Sequence, residues 1–262
     1  MMKQNAASSP VLITFPPSLD SELGRFLMQH YGIRHCEQRH AFIFSFFATL
    51  WHGSTVIFPL LYDEFLRLSG PAAIAGYYDK QCAPELRLWP ETTEQRQQVE
   101  SDWTLFNQSL AIATAVFAYY HLLPHRQLMI EPLSAGAPSY ERTAVQRAYG
   151  VFAGLLRLLL RLNAQHAAQS VGLVRTIFTE VEDRLARGQS YLVGDRLTLS
   201  DLAFAVAAAP VVLPPNYGGP IPAFDQMPAE IQTVVTEMRA RPAGAFALKI
   251  YQEQRDRFGL SS

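Results

Sequence analysis

Two cysteines, seven histidines and a serine ahead of an amphipathic run are where chemistry is first sought in this chain. Cys36 and Cys82 form no CxxC redox pair, and two cysteines make neither a zinc cluster nor a disulfide framework. His121 and His125 have the i, i+4 spacing of a helical metal pair, but Pro124 between them opposes a regular helix. His35 and His40, five apart, face opposite sides of a strand. HExxH, GxxxxGK[ST] and GxSxG are all absent, so no metal site, phosphate loop or serine-hydrolase elbow is expected. Glu180, Glu182 and Asp183 read as a solvated helix face near Arg184 and Arg187. Ser18 remains. Serine favours helix N-caps, and the free amides of a helix start stabilise an anion. Asp20 and Ser21 can cap the same helix.

Of the 262 residues, 49% are hydrophobic and 17% charged, enough apolar material for a core and against general disorder. The net charge of −1 leaves no bulk electrostatic footprint for nucleic acid or an anionic membrane. Met1-Met2-Lys3-Gln4-Asn5 lacks the apolar core of a signal peptide. The apolar stretch Ala41 to Trp51 falls short of the ~18–20 residues of a membrane span. The expectation is a soluble, cytoplasmic protein with no nucleic-acid or membrane partner.

The elements that must hold Ser18 follow from periodicity. Residues 1–10 read as a loose tail, and Val11 to Phe15 as a buried strand stopped by Pro16-Pro17. Leu19, Leu23, Phe26, Leu27 and Tyr31 mark a helix over 18–31, with Gly32 at its C-terminal cap. A weak strand over 34–40, a helix over 41–51 and strands over 56–62 and 65–68 follow. Pro71 opens a helix over 72–78. The stretch 80–90 reads as a linker. Beyond it the chain is helical: 91–123 as one long helix or two stacked ones, a loop over 124–139, then helices over 140–162, 169–187, 199–209, 228–239 and 242–258. Leu110 to Leu123 is apolar nearly all round and must be buried on several sides. Thr198 and Asp201 have capping-box spacing, with Leu197 and Leu202 placed as the hydrophobic staple.

This layout, together with four local matches, resembles the cytosolic glutathione transferases, and the matches cover most of the chain. Tyr191 to Asp201 is similar to the buried capping box of their helical domain. Ser18, Arg25, Leu27, Gly32 and Ile33 match the run around their first strand–helix turn in serine-type classes, theta- or zeta-like or bacterial. Phe58-Pro59 stands where the family carries its cis-proline, and Ala73 to Asp79 resembles its third helix. Just before that helix the match fails. Gly70-Pro71 replaces the acidic-serine pair that holds the glutamyl end of glutathione, with Ser69 as a substitute if the loop shifts by one residue. A lysine often found before the cis-proline is also missing.

The resemblance implies an α/β thioredoxin-like N-terminal domain over 1–80, a linker over 81–90 and an all-α helical bundle over 91–262. It implies glutathione as co-substrate, a small apolar electrophile as second substrate and a homodimer. Ser18 would be catalytic, its hydroxyl donating to the thiolate, while Phe58, Pro59, Ser69 and Gly70 would bind glutathione. Trp103, Phe106, Phe117 and Tyr120 would line the electrophile pocket, or belong to the core, and Tyr217 would border it or form a surface turn. The competing reading is a non-catalytic member of the fold that binds a ligand or a protein, favoured by Gly70-Pro71. A thiol-disulfide or peroxide reductase is a weaker third, since the active-site turn holds serine rather than cysteine.

Overall fold

In the computed structural model, which describes residues 9–54 and 57–256, strand β1 (Val11–Thr14) lies at the centre of the sheet. It pairs parallel with β2 (Cys36–Arg39) and antiparallel with β3 (Leu60–Tyr62), which pairs in turn with β4 (Arg67–Ser69). Val11 sits opposite Cys36 and Leu12 opposite Leu61. Leu12, Ile13, Leu60 and Leu61 are fully buried, as a central pair covered by helices requires. Helices α1 (Leu19–His30), α2 (Phe42–Trp51) and α3 (Pro71–Tyr78) complete this module. Gly32 supplies the left-handed turn after α1, with φ of 66°.

The observed hairpin is shorter than the sequence reading. Asp63 Oδ1 accepts from Phe65 N and Leu66 N at 2.7 and 2.8 Å, which puts Phe65 and Leu66 in the turn rather than in a strand. Val56, read as the start of the preceding strand, lies outside the described residues, as do most of the tail over 1–10 and Phe258 at the end of the last helix.

The stretch after α3 is anchored by Asp79, which accepts from Leu88 N, Trp89 N and Tyr31 Oη. Then α4 (Thr93–Trp103), a π-turn (Thr104–Leu110) and α5 (Ala111–Leu122) run on as one long element. The expected loop over 124–139 is instead largely helix α6 (Arg126–Ser134). Pro132 inside it costs about 3 kcal/mol. Burying Met129 and Leu133 offsets that at roughly 1.5–3 kcal/mol each. The helix read over 140–162 is two, α7 (Ser139–Arg147) and α8 (Tyr149–Leu159), broken at Ala148. Buried bonds hold the two apart: Glu141 to His40 and Ala41 N, and Tyr149 Oη to Leu123 O.

Helix α9 (Ala164–Leu185) starts earlier than expected because Asn163 caps it, accepting from His166 N at 2.8 Å. The buried α10 (Leu199–Val212) continues past Ala209 through Pro210 and is followed by α11 (Ala229–Ala240) and α12 (Pro242–Asp256). The expected box is formed: Asp201 accepts from Thr198 N, Thr198 Oγ1 and Leu192 N at 2.7, 2.9 and 2.8 Å. Burial nevertheless pushes the Asp201 carboxyl up to about 6, against those bonds. Helix α1 joins the two halves, with Phe26 packed edge-on against Tyr251 of α12 at 4.7 Å. Among the described residues no helix is long and apolar enough to cross a membrane.

Candidate functional site

The β1–α1 turn is held from several directions. Ser18 is the N-cap of α1, its Oγ accepting from Ser21 N at 3.2 Å, and Ser21 Oγ accepts from Phe15 N at 3.1 Å. The Ser18 hydroxyl hydrogen has no acceptor among the described residues. It is free to donate to a ligand. Behind the turn, Arg25 donates to Pro16 O, Glu22 and Glu37 at 3.3, 3.0 and 2.8 Å. Burial opposes the Arg25 charge, but Glu22 and Glu37 outweigh it and keep the guanidinium protonated. Glu22 also accepts from Gly218 N, and Tyr217 Oη donates to Pro17 O at 3.2 Å. A Cβ at Gly219 would stand 2.6 Å from Pro16 O, so only glycine lets the helical half lie this close to the turn.

Ser18 opens onto a cleft of about 320 Å³ between the two halves. Phe15, Phe42 and Phe58 form one wall; Ala111, Ile112, Ala115 and Tyr119 of α5 and Leu156, Leu159 and Leu160 of the α8 region form the other. The surface is predominantly apolar, with Asp20 and Asn107 as further polar groups. Burial pushes the Asp20 carboxyl up to about 6, and a hydrogen bond from Asn107 pulls the other way. Burial also raises the Tyr119 phenol, so it is neutral at physiological pH. A narrower apolar chamber of about 90 Å³ lies beyond, sharing Pro17, Leu19, Ala115 and Tyr119 with the cleft.

The Phe58–Pro59 peptide is cis, and Phe58 lines the cleft. Its backbone amide donates to nothing among the described residues. Pro59 packs on α1 where a Cβ at Gly24 would come within 2.5 Å of its Cγ. Gly70 holds φ of 83° and donates its amide to Pro59 O at 2.9 Å, while Pro71 takes the first position of α3. The Ser69 hydroxyl is hydrogen-bonded to Ser54 Oγ.

The four aromatic residues assigned to an electrophile pocket do not line this cleft. Phe106 is fully buried against Phe204 and Phe117 is 2% exposed beside His121. Trp103 packs against the core, and Tyr120 borders a separate surface pocket with His121 and His125. The cleft face of the same long element is Asn107, Ala111, Ala115 and Tyr119. A regular α-helical count does not carry across the π-turn, which holds more residues per turn. Large aromatic side chains go to the core because that buries the most apolar area. Tyr217 reaches the inner chamber rather than a surface turn. Asp20, Asn107 and Tyr119 were not singled out as site residues from sequence. A carboxylate in a helix's first turn reads as a cap, and Asn107, followed by Gln108 and Ser109, reads as part of a polar helix face.

No protein-family model matches the sequence, and no curated protein matches it. Solved structures do. A glutathione S-transferase from Sinorhizobium meliloti has a TM-score of 0.55 at 18% identity, over 92% of this chain and 93% of that one. One from Ceriporiopsis subvermispora, in complex with glutathione, has a TM-score of 0.58 at 15% identity, over 94% and 98%. A human glutathione S-transferase in its apo form has a TM-score of 0.54 at 14% identity, over 95% and 89%. The fold is therefore that of the glutathione transferases: a thioredoxin-like module followed by a helical bundle.

Proposed function

We propose that this protein is a glutathione transferase acting on a small apolar electrophile. The observation that carries the reading is the Ser18 hydroxyl, at the start of α1, facing an apolar cleft beside the Phe58 amide, which donates to nothing among the described residues. A free thiol has a pKa of ~8.5, and the thiolate is the nucleophile. The α1 dipole and a hydrogen bond from Ser18 both favour the thiolate, and the Phe58 amide can pair with the backbone of the glutathione cysteine. The electrophile fits the apolar wall formed by α5 and α8. The transferase of this fold from Ceriporiopsis subvermispora is in complex with glutathione, which supports the same ligand here.

Gly70 and Pro71 offer no side-chain donor to the glutamyl carboxylate, and the Ser69 hydroxyl is already hydrogen-bonded to Ser54 Oγ. Glutathione binding is accordingly weak, and the same feature favours the second reading, a non-catalytic binding protein. In this reading the boundary between the halves falls in the 81–90 linker and the protein is a cytosolic homodimer. The homodimer rests on the resemblance; the apolar stretch Leu110 to Leu123 does not argue for it, because most of that stretch is covered within the chain. Retention on immobilised glutathione, released by free glutathione, together with turnover of a general electrophile, tests the proposal. Retention without turnover supports the binding protein instead.

A further inference from the structure

Among the described residues, the buried carboxylates are compensated by cations or by several donors. Glu22 has Arg25, Glu141 has His40 and Ala41 N, and Asp102 has Arg184. Asp79 accepts from two amides and a phenol, and Asp201 from its capping box. Asp20 is different. It stands half-buried in the first turn of α1 and borders the cleft with Ser18; among the described residues no cation pairs with it, and the neutral amide of Asn107, which lines the same cleft, favours its charged form. Among the described residues no lysine, arginine or histidine lines the cleft. The other titratable group there is Tyr119 on α5, a neutral phenol, while α2 and the α8 region bring only Phe42, Leu156, Leu159 and Leu160.

We propose that Asp20, oriented by Asn107, is the proton acceptor of this cleft and takes the thiol proton of glutathione while Ser18 holds the sulfur. The inference rests on the transferase reading and names a second residue of that site. The physical reason is charge. A thiolate beside an ionised Asp20 would put two negative charges into an apolar cleft with no cation, and each would disfavour the other. Moving the proton from sulfur to Asp20 keeps a single negative charge. The S–H bond breaks with its electron pair left on sulfur, and an O–H bond forms on the carboxyl. The sulfur then attacks the electrophilic carbon, and the leaving group departs with its bonding pair. Asp20 returns its proton to that group or to water as product leaves. Burial has already brought the carboxyl to about 6, within reach of this exchange at neutral pH. Asn107 is a positioning residue, set into the cleft by the π-turn Thr104–Leu110.

The test is the proton inventory of glutathione binding. Calorimetry at pH 7 in two buffers of different ionisation heat gives the protons released, and ultraviolet absorbance gives the thiolate formed. The wild-type protein should form thiolate with nearly no proton release, because the proton stays on Asp20. Asp20→Asn should either release about one proton per thiolate or leave the thiol protonated, with kcat/KM at pH 7 down about a hundredfold. Asp20→Glu should restore part of the rate. Asn107→Ala removes a bond that lowers the Asp20 pKa, so it should move the acid limb of the kcat/KM profile to higher pH. This second variant leaves the proposal testable if Asp20→Asn fails to fold. Equal proton release and equal rates in wild type and Asp20→Asn overturn the role of Asp20 and leave the transferase reading standing. Absence of binding heat in the wild type overturns both.

Discussion

Two aspartates in the first turns of two helices make the most instructive contrast in this protein. Asp201 opens α10 and Asp20 opens α1, and burial pushes both carboxyls up to about 6. Asp201 is surrounded by donors that belong to its own fold: Thr198 N, Thr198 Oγ1 and Leu192 N. Asp20 has one neutral amide and an apolar cleft. Similar shifts thus arise in a site already filled by protein and in one with capacity left for a ligand. A raised pKa marks burial, and the neighbours decide whether the group holds structure or is available for chemistry.

The contrast can be broken most forcefully at Asp201. Asp201→Ala removes a cap and leaves buried donors without acceptors, so unfolding in urea should show a loss of about 3 kcal/mol. An unchanged midpoint would show that the fold does not depend on the Asp201 box. Ser18→Ala should do the opposite. It should lower turnover by about a hundredfold, roughly 2.7 kcal/mol of barrier, while thermal unfolding shifts by no more than a lost cap. The ultraviolet titration of bound glutathione should move to higher pH in that variant. Retention of both rate and titration would make Ser18 a helix cap only.

Gly24→Ala sharpens the contrast from the packing side. Its new Cβ would meet Pro59 Cγ at 2.5 Å, so α1 and the Phe58–Pro59 loop must separate. Overpacking of this kind costs about 1–3 kcal/mol. Turnover should fall together with stability, because Phe58 and Ser18 move apart. Calorimetric unfolding and kinetics on the same sample check the pairing.

The smallest effect is the pH dependence of stability. Both aspartates have folded pKa values near 6, above the 3.8 of the free side chain. Between those values the folded state binds more protons than the unfolded one, so acidification through this window stabilises. Glu37 and Glu182 go the other way. For Glu37 burial works upward, but Arg25, Thr14 and Arg39 together outweigh it and lower the pKa; for Glu182 the hydrogen bond from Arg241 lowers it. Their contribution is present above about 4.5 and is lost as pH falls through their folded values. Stability should therefore rise by about 1 kcal/mol from pH 7 to pH 5.5 and fall below pH 4. Urea midpoints at pH 7, 5.5 and 3.5 give the curve, and Asp201→Asn should remove about half of the rise.

Much of the architecture was legible in the chain. Ser18 as a cap, Gly32 after α1, Pro71 at the start of α3 and the Thr198/Asp201 box depend on partners a few residues away. The cis peptide at Phe58–Pro59 was anticipated from resemblance, since base rates alone run against it. Helix α6 was hidden by Pro132, whose local cost is met by the burial of Met129 and Leu133. The cleft wall was hidden by the π-turn, which changes the face that every later residue of the element presents.

The sequence by itself determined where α1, α3 and α10 begin, that Leu110 to Leu123 is largely buried and that a serine heads α1. Those outcomes rest on hydrogen bonds within a turn and on hydrophobic period, both short-range in the chain. Only the tertiary structure decided that Asp20 meets Asn107, that Tyr119 stands between cleft and inner chamber, and that Phe106 and Phe117 are core. Their environments are made by residues far along the chain. The desolvation that shifts a carboxyl, or favours an aromatic ring inside, exists only once those distant surfaces have closed around it.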